Sequence, residues 1–189
     1  MHISEVQNIV TNYLEVFPDE TEKLQELQNR LTFDEKFNHR KSFSGHGTGA
    51  AIVFSPDKTE ILLIHHKLLN RWLQPGGHWD PEDPDPWTVA EREAAEETGV
   101  KIARMLPLIP EKPQVPIDIS SHFIPANPKK GEPAHFHHDF RYVFIASDKE
   151  LAHQEKEVFA CRWIPLDDTV TIEPEIRALI NKVQAKKLI

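Results

Sequence analysis

Residues 92–100 read Arg92-Glu93-Ala94-Ala95-Glu96-Glu97-Thr98-Gly99-Val100, and thirteen residues before them the chain turns the corner Pro75-Gly76-Gly77-His78. The spacing predicts a helix that Asp85 caps, that Pro86 enters at the first helical position, and that Gly99 leaves in a left-handed conformation. At 100° per residue, Glu93, Glu96 and Glu97 fall within an arc of about 100°. Trp87, Ala90 and Ala94 form the adjoining apolar stripe. Glu91, Glu93, Glu96 and Glu97 face the single cation Arg92, and like charges three and four apart each cost a few tenths of a kcal/mol. Glu96 and Glu97 also occupy the last turn, where the helix dipole disfavours negative charge. Arg92 can pair with Glu96 at i,i+4 and orient one carboxylate, but the others call for a further positive charge. A solvated acidic helix face is the plainer reading of a glutamate run. The Gly-Gly corner and the order of residue types favour a divalent-cation site.

This arrangement resembles the Nudix box, in which Gly, five residues, Glu and seven residues precede Arg-Glu-apolar-any-Glu-Glu-any-Gly-apolar. Residues 92–100 match the second half at every specified position, with Ala94 and Val100 as the apolar members, and Gly77 matches the opening glycine. The middle departs from the pattern. Gly77 stands fifteen residues before Arg92 instead of fourteen, and counting back eight from Arg92 reaches Pro84. Glu82, Asp83 and Asp85 therefore compete for the middle acid, and Asp83 keeps the spacing from Gly77.

The resemblance implies an α+β fold, the Nudix α/β/α sandwich around a mixed sheet, and hydrolysis of a nucleoside diphosphate linked to another moiety. Hard cations such as Mg²⁺, with Mn²⁺ as a substitute, prefer carboxylate and backbone oxygens and share their shell with phosphates. On this chain Glu93 and Glu97 are the foremost expected metal ligands, with Glu96 next and the Gly77 carbonyl as a further contact. Arg92 orients. The general base is Glu93, Glu96 or a glutamate from the loop His153-Gln154-Glu155-Lys156-Glu157, where Glu157 ranks above Glu155. A solvated charged turn is the competing reading of that loop.

A chain of 189 residues with 39% hydrophobic and 28% charged residues suits one well-buried core. The net charge of −8 argues against a surface that coats nucleic acid and leaves a small diphosphate, bridged by cations, as the expected partner. Cys161 is the single cysteine, so no internal disulfide forms, which fits a reducing compartment. No apolar run approaches the length of a membrane span and no signal peptide opens the chain, so the expected location is the cytoplasm. Many Nudix relatives are dimers, and a homodimer is one arrangement the resemblance offers.

Residues 3–16 and roughly 20–31 are predicted as amphipathic helices, carrying Val6, Ile9, Val10, Tyr13 and Leu14, then Leu24, Leu27 and Leu31. Residues 1–42 thus read as a helical extension before a hydrolase domain at 43–189. Strands are expected at 49–55, 60–65, 71–74, 101–106, 135–146 and 158–164, with a proline-rich and mostly loop stretch over 107–133 and a closing helix at 173–187.

On the predicted strand His135 to Ala146, His135, His137, Asp139 and Arg141 share one face. With His122 they resemble a Zn²⁺-binding set. They equally suit the wall of a substrate pocket, with Arg141 gripping phosphate beside Asp139, or a polar strand face in solvent. His78 borders the glycine corner, as a substrate contact or as a hydrogen-bonded structural group. Trp72 and Trp79 flank the corner and can stack on a base, although Trp72 suits core packing. Two further classes fit the residues less well. A nucleotide-sensing module has no use for the full acidic set, and a diphosphate isomerase would want an acid-base partner for Cys161.

Overall fold

Apolar residues at helical spacing put Val6, Ile9, Val10 and Tyr13 on the buried side of helix α1 (Ile3–Val16). The computed structural model describes residues 2–33, 36–67, 69–80, 82–128, 131–152 and 158–189. The second expected helix shortens to α2 (Gln25–Arg30), behind a 3₁₀ turn at Pro18–Glu20. The Thr21 hydroxyl donates to the Pro18 carbonyl at 2.7 Å, so the chain turns there instead of running on as α-helix. Leu24, Leu27 and Leu31 are buried all the same.

The remaining elements are β1 (His46–Phe54), β2 (Glu60–His66), β3 (Arg71–Leu73), β4 (Gly76–His78), α3 (Pro86–Thr98), β5 (Ile102–Met105), β6 (Asp118–Ile124), β7 (His135–Ala146), β8 (Val158–Pro165) and α4 (Pro174–Ala185). The sheet runs β3-β2-β1-β7-β5, with β4 on β1, β6 on β7 and β8 on β2. Strands β1 and β7 are parallel from His46↔His137 to Phe54↔Ile145, and the other pairings are antiparallel. The sheet is therefore mixed.

Alternation along the two central strands builds a core on each face. Ala51, Val53, Phe140, Tyr142 and Phe144 pack with α1, α2 and α3. Ile52, Phe54, Val143 and Ile145 pack with Ile176, Leu179, Ile180 and Val183 of α4. The result is an α/β/α sandwich. The segment before β1 is continuous with the first core, because Val6, Ile9, Tyr13, Leu27 and Phe37 share a cluster with Val89, Ala90 and Phe140.

Two stretches hold strands beyond those expected. The segment 107–133 is not all loop, since β6 pairs with β7 from Asp118↔Arg141 to Ile124↔His135. Its prolines stop at Pro116 and resume at Pro125, leaving an uninterrupted strand between them. The Gly-Gly corner is itself a short strand, with Gly76, Gly77 and His78 opposite Ala50, Gly49 and Thr48. The turn Pro56-Asp57-Lys58 is present, with Lys58 at φ 61° and the Asp57 carboxylate accepting from Ser55 Oγ at 2.6 Å.

Candidate active site

Helix α3 forms where its end signals place it. Asp85 accepts from Thr88 N at 2.8 Å, Pro86 opens the helix, and Gly99 closes it at φ 69°. Asp85 is thus engaged as a cap. Val89, absent from the expected stripe, is fully buried with Ala90 and Ala94. It rests on Gly49, where a Cβ would come within 2.8 Å of both Val89 and the Pro86 carbonyl. Glycine there lets the helix sit directly on β1.

This seating brings the acidic end of α3 over β4. A Cβ on Gly77 would lie 2.4 Å from the Glu93 carboxylate, so only glycine leaves that side chain its place. Gly76 N donates to Glu97 Oε2 at 3.0 Å. Glu93 and Glu97, one turn apart, both address the glycine strand, while the Glu96 side chain is 56% exposed. The set is one of hard oxygen donors against a backbone no side chain screens, which suits Mg²⁺ or Mn²⁺.

Arg92 orders this end of the helix. Its Nη1 donates to Glu93 Oε1 at 2.8 Å, and its Nη2 to Asp83 Oδ2 at 2.9 Å and to the His78 carbonyl at 3.1 Å. The expected Arg92–Glu96 pair is the longer one, at 3.5 Å. Among the three candidates for the middle acid, Asp83 is the one that meets Arg92, and Glu82 is exposed. Burial pushes the Glu93 carboxyl above its ordinary range; Arg92 opposes this, and Glu96 and Asp80 add to it.

The other expected site residues lie elsewhere. Alternation on β4 turns the His78 ring to the face opposite Gly77, where it packs on His46 and His137. Asp139 and Arg141 share that face. Arg141 does not present a free guanidinium: it is buried and paired with Asp118, Asp139 and Glu175 at 3.0, 3.4 and 3.2 Å. Asp139 accepts from the Thr48 hydroxyl and lies 3.3 Å from His122 Nε2. Trp79 is a core residue, edge-on to Phe37, whereas Trp72 is half-buried beside His65. Glu155 and Glu157 lie outside the described residues. His46, absent from the sequence reading, joins the histidines through the parallel β1–β7 pairing, which no local pattern announces.

A mixed sheet between helices, with helix carboxylates laid on a glycine strand, defines an α+β sandwich. The chain belongs to the Nudix family, hydrolases of pyrophosphate bonds, and the NUDIX domain model of that family matches residues 45–183. A NUDIX-family hydrolase from Clostridium perfringens shares the fold at TM-score 0.57 and 22% identity, over 76% of this chain and 97% of that one. The NUDIX domain of Shewanella oneidensis NrtR, complexed with ADP ribose, aligns at TM-score 0.55 and 19% identity, over 84% and 97%. A MutT NUDIX hydrolase from Burkholderia pseudomallei aligns at 0.50 and 23%, over 74% and 98%. At such identities the likeness establishes the fold.

Proposed function

We propose that the chain hydrolyses the diphosphate bond of a nucleoside diphosphate linked to another moiety, with Mg²⁺ as its working cation and Mn²⁺ as a substitute. The observation that carries this reading is the seating of Glu93 and Glu97 on the glycine strand, one against Gly77 and the other on Gly76 N. When bound, the cation neutralises the diphosphate and acidifies a water.

Glu93 and Glu97 hold that cation, with Glu96 on the solvent side and the Gly77 carbonyl as backbone donor. Arg92 keeps Glu93 in place. Water adds to phosphorus as the bridging P–O bond breaks, and its proton passes to a carboxylate. Glu93, whose burial raises its affinity for a proton, or Glu96 takes it, and Glu157 is the further candidate. The ADP ribose bound by the NrtR domain supports a nucleotide-derived substrate class. A non-hydrolytic sensing module is the alternative, and the complete acidic set speaks against it. We read residues 1–42 as an extension that completes the core of the 43–189 domain, and the single cysteine as fitting a cytoplasmic protein.

Glu97→Gln tests the reading, because an amide oxygen can still accept from Gly76 N while the charge is gone. Purified protein is screened with Mg²⁺ against dNTPs, nucleotide sugars, dinucleoside polyphosphates, NADH, ADP-ribose and coenzyme A. Turnover of the best substrate is expected to vanish in Glu97→Gln with Tm unchanged or slightly raised. Undiminished turnover in the variant overturns the assignment.

A further inference from the structure

A second set of metal-ligating groups lies on the sheet face opposite Glu93. His46 opens β1 and stands directly across from His137 in the parallel pairing with β7. His135, two residues earlier on β7, shares the face of His137. One ring nitrogen of each lies within 4.8 Å of the other two. The rings pack together, with centroids 4.6 Å apart for His46–His137 and 5.0 Å for both His46–His135 and His135–His137.

Hydrogen bonds settle two of the tautomers. His46 Nδ1 lies 3.2 Å from the Ser42 carbonyl, and His135 Nδ1 lies 2.8 Å from the Pro133 carbonyl. A carbonyl only accepts, so each Nδ1 carries the proton and each Nε2 of the neutral ring keeps its lone pair. A carbonyl behind an imidazole is the outer-shell contact that orients metal-bound histidine. His46 is 1% exposed, and its Nε2 is buried with no hydrogen-bond partner among the described residues. His135 Nε2 lies 3.1 Å from His137 Nε2. Two nitrogens on one tetrahedral Zn²⁺, each bonded at about 2.0–2.1 Å, sit about 3.3 Å apart.

We infer that His46, His135 and His137 bind a borderline divalent ion of the Zn²⁺ class through their ring nitrogens, at a site separate from the carboxylates of α3. Imidazole nitrogen suits this class where the oxygens around Glu93 suit Mg²⁺. Three protein ligands leave the fourth tetrahedral position to water or a ligand oxygen. His78, packed on His46 and His137 at 5.1 and 5.0 Å, walls the site from β4. The ion would tie the start of β1 to that of β7.

The test uses untagged full-length protein stripped with a chelator and titrated with Co²⁺. Visible bands of tetrahedral Co²⁺ are expected to saturate at one equivalent and to be displaced by Zn²⁺. The Glu93→Gln, Glu97→Gln double variant keeps the bands, so failure of the α3 site and failure of this one are told apart. His46→Ala and His137→Ala lose them. X-ray absorption of the Zn²⁺-loaded wild type, which needs no variant to fold, is expected to show three imidazoles around the ion. A first shell without imidazole, absence of the bands, or bands that follow the glutamates instead of the histidines overturns the inference.

Discussion

The α carbon of Gly77 lies under the carboxylate of Glu93, so close that a Cβ there would stand 2.4 Å from Oε2. Glycine at this place leaves room for the foremost carboxylate of the proposed site, and Gly77 is not at positive φ. Gly77→Ala should therefore act through Glu93 alone. The carboxylate is the far end of a flexible chain and can swing aside, so stability should fall by less than about 1 kcal/mol. Its displacement by roughly 1 Å should lower kcat about 10²-fold. Steady-state kinetics and a thermal melt check both parts, and wild-type kcat in the variant would contradict the geometry.

Arg92 ties three groups at once, and a lysine, as a point charge without the planar fork, cannot. Arg92→Lys is expected to lower stability by about 1–3 kcal/mol, since it leaves half-buried acceptors unpaired. Paired with Asp83→Asn, it should show a coupling energy of roughly 0.5–3 kcal/mol in a double-mutant cycle. Additive effects would mean that Asp83 is not the partner.

The N-terminal extension is expected to be inseparable from the domain. Lys182 of α4 donates to Tyr13 OH at 2.7 Å, to Glu20 at 2.6 Å and to Asp118 at 2.9 Å, and it lies 4.1 Å from the centre of the Phe17 ring. Val6, Ile9, Val10, Tyr13, Leu24, Leu27, Leu31 and Phe37 are buried in the core of α3. Each fully buried apolar side chain contributes roughly 1.5–3 kcal/mol, so their sum is at least comparable to the ~5–15 kcal/mol net stability of a domain. A chain starting at residue 43 should bind a hydrophobic dye and melt without cooperativity. A sharp melt at the wild-type temperature would refute this.

Asp118 sets an acid limit. Burial works against its ionised form, yet Arg141, Lys182 and Lys23 outweigh burial and hold the carboxyl below its ordinary value of 3.8. A folded pKa below the unfolded one gives stability that is complete above pH 3.8 and fades as pH falls through the folded value. Asp118→Asn should cost about 3 kcal/mol near neutral pH, because Arg141 and Lys182 lose a buried partner. The variant's stability curve should approach that of the wild type as pH falls below 3.8. Parallel curves down to the lowest pH that can be measured would rule Asp118 out.

Much of this was legible in the chain because it is local. Asp85, Pro86 and Gly99 bounded α3 from the chemistry of helix ends, and His135–Ala146 was a strand by alternation and length. The strand β6 was hidden by the prolines on either side of it, and β4 by a Gly-Gly pair whose ordinary meaning is a turn. Arg92 was expected on Glu96 by helical spacing, yet Asp83 and Glu93 hold it more closely, because the loop before α3 folds back over the helix.

The sequence by itself determined the family, and through that resemblance the sandwich, together with the helix that gathers Glu93, Glu96 and Glu97 on one side, since motif spacing and helix-end signals are properties of neighbours along the chain. Tertiary structure alone decided which face each group serves. It set Gly77 under Glu93 and turned His78 away. It closed Arg141 into a cage of carboxylates, and through a parallel pairing it carried His46 across 91 residues to His137. Those contacts depend on strand register, and register is chosen by the burial of the whole sheet, which no short stretch of residues encodes.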